Sequence, residues 1–321
     1  MKMKQVLRAL AIGIMLGAAT LTAQAADSKI LNVKPVKPMM RFIPDVVYSQ
    51  VPSRGFDSIL LQMDVLKPQK QEKMPAIVYV TGGGFINANR ANAIQERMAL
   101  AEAGYVVASI NYRVAPTAKF PEPLQDVKSA IRYLRANADK FGIDSNRIGI
   151  FGGSAGGYLS AFAATTSGST EFDVGDNLNQ SSAVKCAVDV FGLSDLTQVG
   201  ADYSDEVKAA HRSSGATEAL WVNGSAVFGG KDGGILVDKD AADKANPISY
   251  INKNSAPMLL MHGDADKVVS PSQTDILFQA LTEEGIPAER YIIPGAAHGG
   301  VYWVQDETME VIIDFFDKYL Q

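Results

Sequence analysis

One cysteine, Cys186, three histidines and two tryptophans stand among 321 residues, and each scarcity excludes something. A single thiol cannot close an intramolecular disulfide. With histidines scattered at 211, 262 and 298, it offers no cysteine- or histidine-rich metal site, and no metal or other cofactor is expected. Charge of one sign is also scarce: 30 Lys and Arg against 35 Asp and Glu leave a net −5, without the basic face that nucleic-acid binding needs. Residues 9–21 are an uncharged apolar run, shorter than the roughly 20 residues of a membrane-spanning helix. Hydrophobic residues at 47% and charged residues at 20% are a globular mixture, which excludes disordered, collagen-like and coiled-coil chains.

Residues 1–25 combine Lys2, Lys4 and Arg8, the apolar run, and Ala23-Gln24-Ala25 as small residues before a cleavage point. This three-part pattern is that of a secretory signal peptide. The expectation is a mature chain of residues 26–321, periplasmic or secreted, with no membrane anchor once the leader is removed. Such a length can bury a sizeable core without disulfides. Cys186 lies in the apolar run VKCAVDVFG and reads as a small buried hydrophobe rather than a nucleophile.

After a polar N-terminal stretch, apolar runs at 76–80 (AIVYV), 105–111, 147–151, 184–190, 258–261 and 290–293 alternate with helical patterns. Most are continuously apolar, as in strands covered on both faces of a parallel sheet. Helices are expected at 91–103, ended by Gly104; at 124–138, with Leu124, Val127, Ile131 and Leu134 on one face; after Ser270, with Pro271 at the first position and Gln273 closing a capping box; and at 308–320. Strand–helix alternation predicts a doubly wound, mostly parallel α/β fold. Residues 198–246 break the rhythm with a polar, Gly- and Ala-rich stretch holding Trp221 and Phe228, read equally as a lid over the sheet's carboxyl edge or as a surface excursion.

The segment RIGIFGGSAGGYLSAFAA runs from a strand through Gly152-Gly153-Ser154-Ala155-Gly156 into a small-residue helix. This is G-x-S-x-G in the strand–turn–helix context that holds a nucleophilic serine clear of a sheet. A hydroxyl needs a base, and His298 fits, in the glycine-rich loop PGAAHGG between a strand and the last helix. His262 is expected to support its own turn, and His211 lies in the insertion with no strand before it. The acid comes from HGDADKVVS: Asp266, further out on the loop, is chosen over Asp264 to orient His298 and stabilise its cation.

Thr81-Gly82-Gly83-Gly84-Phe85 follows the first long apolar strand. Its glycines free backbone amides to face an oxyanion, so Gly83, Gly84 and Ala155 are the expected donors. Neither G-x-G-x-x-G nor a P-loop is present, which discards nucleotide binding.

TGGGF, the stretch from INYRVAP to GIFGGSAGG, HGDADKVVSPSQT and GAAHGG, in that order, resemble the α/β-hydrolase esterases. The resemblance is to the hormone-sensitive-lipase-related branch that includes bacterial feruloyl and acetyl-xylan esterases, and it extends from about residue 60 to the C-terminus. It implies ester hydrolysis through an acyl-enzyme on Ser154, Asp266 and His298, with Gly83, Gly84 and Ala155 as oxyanion hole and no cofactor. Thr81 replaces the family's usual histidine before the glycines and Phe85 its usual bulkier residue, which implies altered loop packing with activity kept. The implied substrate is a small-molecule or polysaccharide-linked ester carrying a short acyl, acetyl or feruloyl group. The alternatives are a lipase for longer chains, a peptidase of the prolyl-oligopeptidase type and a non-catalytic binding protein; Ala155 and the absence of a propeller-sized segment disfavour the peptidase. Phe85, Tyr158, Trp221, Phe228 and Trp303 are candidates for lining the substrate pocket, each with ordinary core packing as its competing reading.

Overall fold

The apolar run at 76–80 becomes a strand in which every residue, Met74–Val80, is buried, as a strand covered on both faces requires. It is the third of eight strands in the computed structural model, which describes residues 28–321. The leader pattern at 1–25 lies outside the described residues. Residues 28–36 carry no regular secondary structure, and residues 37–321 form one compact unit.

The strands are β1 (Met40–Ser53), β2 (Phe56–Pro68), β3 (Met74–Val80), β4 (Val106–Ile110), β5 (Ile143–Gly153), β6 (Ala187–Val190), β7 (Met258–Gly263) and β8 (Ala288–Ile293). They form one sheet in the order β1-β2-β4-β3-β5-β6-β7-β8. β1 and β2 pair antiparallel with each other, β2 pairs antiparallel with β4, and the remaining pairs are parallel.

Side chains of β3 alternate between two cores. Ala76, Val78 and Val80 join Leu124, Val127, Ile131 and Leu134 of α2 (Glu122–Ala136), with α4 (Ala155–Thr165) and α8 (Ser272–Glu283) on the same face. Ile77 and Tyr79 join Leu100 of α1 (Ile94–Glu102) and Ile312, Phe315 and Phe316 of α9 (Asp306–Leu320) on the other. Each fully buried Leu or Ile contributes about 2 kcal/mol, so trimming Ile131 to Ala loosens α2 from the sheet. A single turn, α3 (Ala138–Phe141), follows α2.

Three expectations need correction. The N-terminal stretch is not merely polar: it holds β1 and β2, hidden from a pattern search because β1 is half exposed, contains Pro44 and shifts register three times. The capping box before α8 does not form. Gln273 is buried, and its Oε1 accepts from the Ser194 and Asp195 amides instead, tying α8 to the loop after β6. Helix α1 starts at Ile94 rather than at residue 91, because Ala93 is left-handed at φ +58°.

Residues 198–246 lie between β6 and β7 and fold as α5 (Asp205–His211), α6 (Thr217–Asn223), two short 3₁₀ turns and α7 (Lys239–Lys244). Trp221 of α6 is fully buried; its Nε1 donates to the Tyr158 hydroxyl, and its carbonyl accepts from the Phe120 amide. The Tyr158 hydroxyl donates to the Ala245 carbonyl. The segment is therefore pinned to α4 at two points.

Candidate active site

Ser154 stands between β5 and α4 at φ +57°, ψ −126°, a strained conformation costing about 1–3 kcal/mol that the surroundings must impose. Two glycines allow it. A Cβ on Gly152 would meet the Gly156 carbonyl oxygen at 2.2 Å, and a Cβ on Gly156 the Val80 carbonyl oxygen at 2.0 Å. The Ser154 amide donates to the Val190 carbonyl, fixing the elbow to β6.

His298 Nε2 lies 2.9 Å from Ser154 Oγ, and His298 Nδ1 lies 2.7 Å from Asp266 Oδ2. A carboxylate only accepts, so Nδ1 carries the proton and Nε2 is free to accept from the serine hydroxyl. The imidazole is only 16% exposed. It packs on Phe191 with ring centroids 4.6 Å apart.

Asp266 is buried, whereas Asp264 is exposed and, among the described residues, accepts only the Gly295 amide. Asp266 Oδ1 accepts the Val268 and Val269 amides. Burial alone would raise this carboxyl, but hydrogen bonds from His262 and His298, the His298 charge and the Val268 amide pull it well below the usual carboxylate range. His262 is the partner that sequence reasoning undervalued. Fully buried, it places Nε2 3.2 Å from Asp266 Oδ2 and 3.0 Å from the Val269 carbonyl, with Nδ1 3.1 Å from Thr274 Oγ1. Its position, four residues before Asp266 at the end of a buried strand, is the one sequence feature that bears on this role.

The loop after β3 brings Gly83 and Gly84 to the same end of the sheet, Gly84 at φ +58°. Among the described residues neither glycine amide donates to a protein acceptor. Ala155 is the first residue of α4, where an amide has no partner within its helix. The loop is buttressed from the segment after β4: the Tyr112 hydroxyl donates to the Thr81 carbonyl, and the Ala115 amide to the Phe85 carbonyl. Thr81 Oγ1 is buried without a partner, so its side chain does not pin the loop by hydrogen bonding.

A cavity of about 650 Å³ opens over Ser154 and His298. Phe191, Val268 and Gly82–Gly84 form part of its wall, with Tyr79, Thr81, Asn92 and Glu96 supplying polar groups. The five aromatic candidates do not line it. Phe85, Tyr158 and Trp221 are buried and packed together, with the Phe85 ring 4.5 Å from Trp221 and 5.4 Å from Tyr158, so they hold the end of the glycine loop. Trp303 donates to the Ala297 carbonyl and packs 4.8 Å from Phe191, bracing the His298 loop. Phe228 sits two-fifths exposed on a 3₁₀ turn of the 198–246 segment. These rings were plausible because bulk and position alone cannot separate a pocket wall from the layer behind it.

Cys186 is buried, and burial pushes its thiol up, away from nucleophile chemistry. His211 pairs with Glu218, whose hydrogen bond raises its pKa, and lies outside this cavity. Among the described residues no three His, Cys, Asp or Glu side chains converge to hold a metal, and no helix is long and apolar enough to cross a membrane.

The sheet order, the strained serine between β5 and α4 and the histidine after β8 define an α/β-hydrolase. The chain belongs to the BD-FAE family, whose model matches residues 63–281. Esterase LipC of Mycobacterium tuberculosis is 32% identical over 258 residues, covering 79% of this chain and 59% of LipC. Isoprenylcysteine alpha-carbonyl methylesterase of Arabidopsis thaliana is 25% identical over 258 residues, covering 80% of this chain and 57% of that protein. The chain thus spans under three-fifths of the length of either relative. Among solved structures, a truncated carbohydrate esterase from gut microbiota is 28% identical with a TM-score of 0.74, covering 87% of this chain and 96% of that one.

Proposed function

We propose that the protein is an exported serine carboxylic-ester hydrolase acting on short acyl esters, including acetyl or feruloyl groups carried on polysaccharide. The observation that carries the reading is the continuous chain Ser154–His298–Asp266, with contacts of 2.9 and 2.7 Å, opening into a cavity beside unpartnered amides. Ser154 attacks the ester carbonyl as His298 takes its proton through Nε2. Asp266 holds the ring by Nδ1 and balances the charge that forms. The Gly83, Gly84 and Ala155 amides receive the oxyanion, and the α4 N-terminus adds a favourable field. His298 then protonates the leaving alcohol, and water, activated by the same nitrogen, resolves the acyl-enzyme.

The names of the relatives, an esterase and a methylesterase, and of the carbohydrate esterase neighbour support the reaction class and the polysaccharide setting. The leader pattern at 1–25 supports export. The test is a panel of p-nitrophenyl acetate through decanoate, methyl ferulate and acetylated xylan, run with the Ser154→Ala variant. Serine-dependent turnover greatest on acetate or ferulate is the expected result. Rates rising towards decanoate would make the protein a lipase, and none on any ester would return the peptidase and binding-protein alternatives.

A further inference from the structure

Four polar side chains in the cavity wall, Tyr79, Thr81, Asn92 and Glu96, are unused by the mechanism above, and two of them bear on substrate choice. Glu96, in the first turn of α1, lines the cavity that holds Ser154 and His298, and among the described residues its carboxylate has no side-chain partner. Its neighbour Arg97 makes no ion pair with it: Arg97 Nε and Nη2 donate to the Ala93 and Ala91 carbonyls, and Nη1 is buried without a partner among the described residues. Tyr79, which lines the same cavity, is 95% buried, and its hydroxyl likewise makes no hydrogen bond among the described residues.

Burial first, and then the Glu96 charge, raises the Tyr79 phenol far above its ordinary value against the Arg97 charge, while burial raises the Glu96 carboxyl against its own backbone amide and Arg97. Yet no hydrogen bond joins them, so a donor–acceptor pair stands open to a guest. A buried phenol without a partner and a half-buried carboxylate with no side-chain partner cost free energy, and a substrate hydroxyl that donates to the carboxylate and accepts from the phenol would recover part of it.

We propose that Glu96 and the Tyr79 hydroxyl form a subsite of the Ser154 cavity that selects esters bearing a neutral hydroxyl group and rejects esters bearing a carboxylate. This rests on the reading that Ser154 hydrolyses esters. The hydroxyl can belong to a sugar or to a phenolic acid, since both present the same donor and acceptor. A carboxylate in its place meets Glu96 as a like charge. Glu96 is thus a specificity-determining residue that touches substrate remote from the reacting atoms.

The test compares wild type, Glu96→Gln and Glu96→Ala on p-nitrophenyl acetate, an acetylated xyloside, methyl ferulate, methyl butyrate and monomethyl succinate. For at least one hydroxyl-bearing ester, the ratio of its kcat/KM to that of p-nitrophenyl acetate falls about tenfold or more in Glu96→Ala, mainly through KM. Glu96→Gln restores part of it. Whether the xyloside or the ferulate ratio falls identifies the source of the hydroxyl. The rate on monomethyl succinate relative to methyl butyrate rises about threefold or more in Glu96→Gln. Ratios that stay constant, or a uniform loss on all five esters, would overturn the subsite. Calorimetry of acetylated xyloside and methyl ferulate binding to Ser154→Ala, with and without Glu96→Ala, reads the subsite without turnover. Glu96-dependent binding in a protein whose wild type hydrolyses no ester defeats the hydrolase reading alone, and binding of both esters that ignores Glu96 defeats the subsite.

Discussion

His262 Nε2 lies 3.2 Å from Asp266 Oδ2, the same oxygen that His298 Nδ1 approaches to 2.7 Å. The Val269 carbonyl shares His262 Nε2, and both of these partners only accept, so that nitrogen carries its proton. Two imidazoles therefore aim N–H groups at one carboxylate, one buried beneath it and one facing Ser154. The lower ring fixes where the carboxylate points, and the carboxylate fixes the upper ring.

Replacing His262 by Phe keeps a planar ring, somewhat larger than imidazole, and removes that N–H. We expect kcat on p-nitrophenyl acetate to fall about tenfold with KM within about twofold, because a positioning bond of 1–2 kcal/mol is lost without touching the pocket. Steady-state kinetics of a variant with an unchanged circular dichroism spectrum checks this; an unaltered kcat would make His262 purely a stabiliser of its turn.

Asp264 and Asp266 are two residues apart and differ entirely in surroundings. Asp266→Asn loses the acceptor for His298 Nδ1, and kcat should drop by about 10³-fold or more. Asp264→Asn keeps an oxygen that can accept the Gly295 amide, lies outside the triad, and should stay within about threefold. Because the Asp266 carboxyl is held below its ordinary value, its stabilisation is present above the unfolded carboxylate range and is lost as pH falls through and below it. Thermal unfolding from pH 5 down to pH 3 should therefore weaken wild type more steeply than Asp266→Asn.

Glycines near the serine are needed for different reasons, and two alanine variants separate them. Gly156→Ala places a Cβ 2.0 Å from the Val80 carbonyl oxygen, which no side-chain movement relieves, and should destabilise by about 3 kcal/mol or more. Gly84→Ala meets nothing within 4 Å and bears only the left-handed strain at φ +58°, about 1 kcal/mol. Denaturant unfolding should rank them in that order, and equal losses would mean that crowding is not what excludes a side chain at Gly156.

Asp189 of β6 is fully buried below the elbow, with both carboxyl oxygens unpartnered. A Cβ on Gly157 or Gly192 would come within 2.2 Å of it. Burial pushes this acid up to about 8, against a small opposing pull from the Gly192 amide, which lies near without making a well-formed hydrogen bond. The folded state then holds a proton that the unfolded chain releases near pH 4, so stability falls as pH rises from about 4 to about 8. Asp189→Asn removes this slope. Its melting temperature relative to wild type should rise by about 5 °C or more between pH 5 and pH 8; parallel curves would show that Asp189 is not the group responsible.

The central strands and the site loops were legible because burial on both faces writes continuous apolar runs, and because a serine elbow needs small residues at fixed spacing. Ser154, His298 and Asp266 could be picked in chain order for that reason, and the structure brings the three together. β1 and β2 were not legible, since a half-exposed, bulged edge pair leaves no clean alternation. The role of Gln273 was misread because a capping box and a long-range bond to Ser194 and Asp195 use the same side chain. The pocket rings were misassigned for a related reason: Phe85, Trp221 and Trp303 pack one layer behind the cavity, and that layer is set by contacts far apart in sequence. Glu96 gave no signal, since a charged residue in a helix's first turn ordinarily faces solvent.

The most direct measurement is peptide-resolved mass spectrometry after treatment with a small fluorophosphonate ester, run beside hydrolysis of p-nitrophenyl acetate. One adduct on the peptide containing Ser154, loss of turnover in step with its formation, and neither labelling nor turnover in Ser154→Ala is the expected result. An adduct on another residue, or acetate hydrolysis persisting in Ser154→Ala, would show that Ser154 is not the nucleophile.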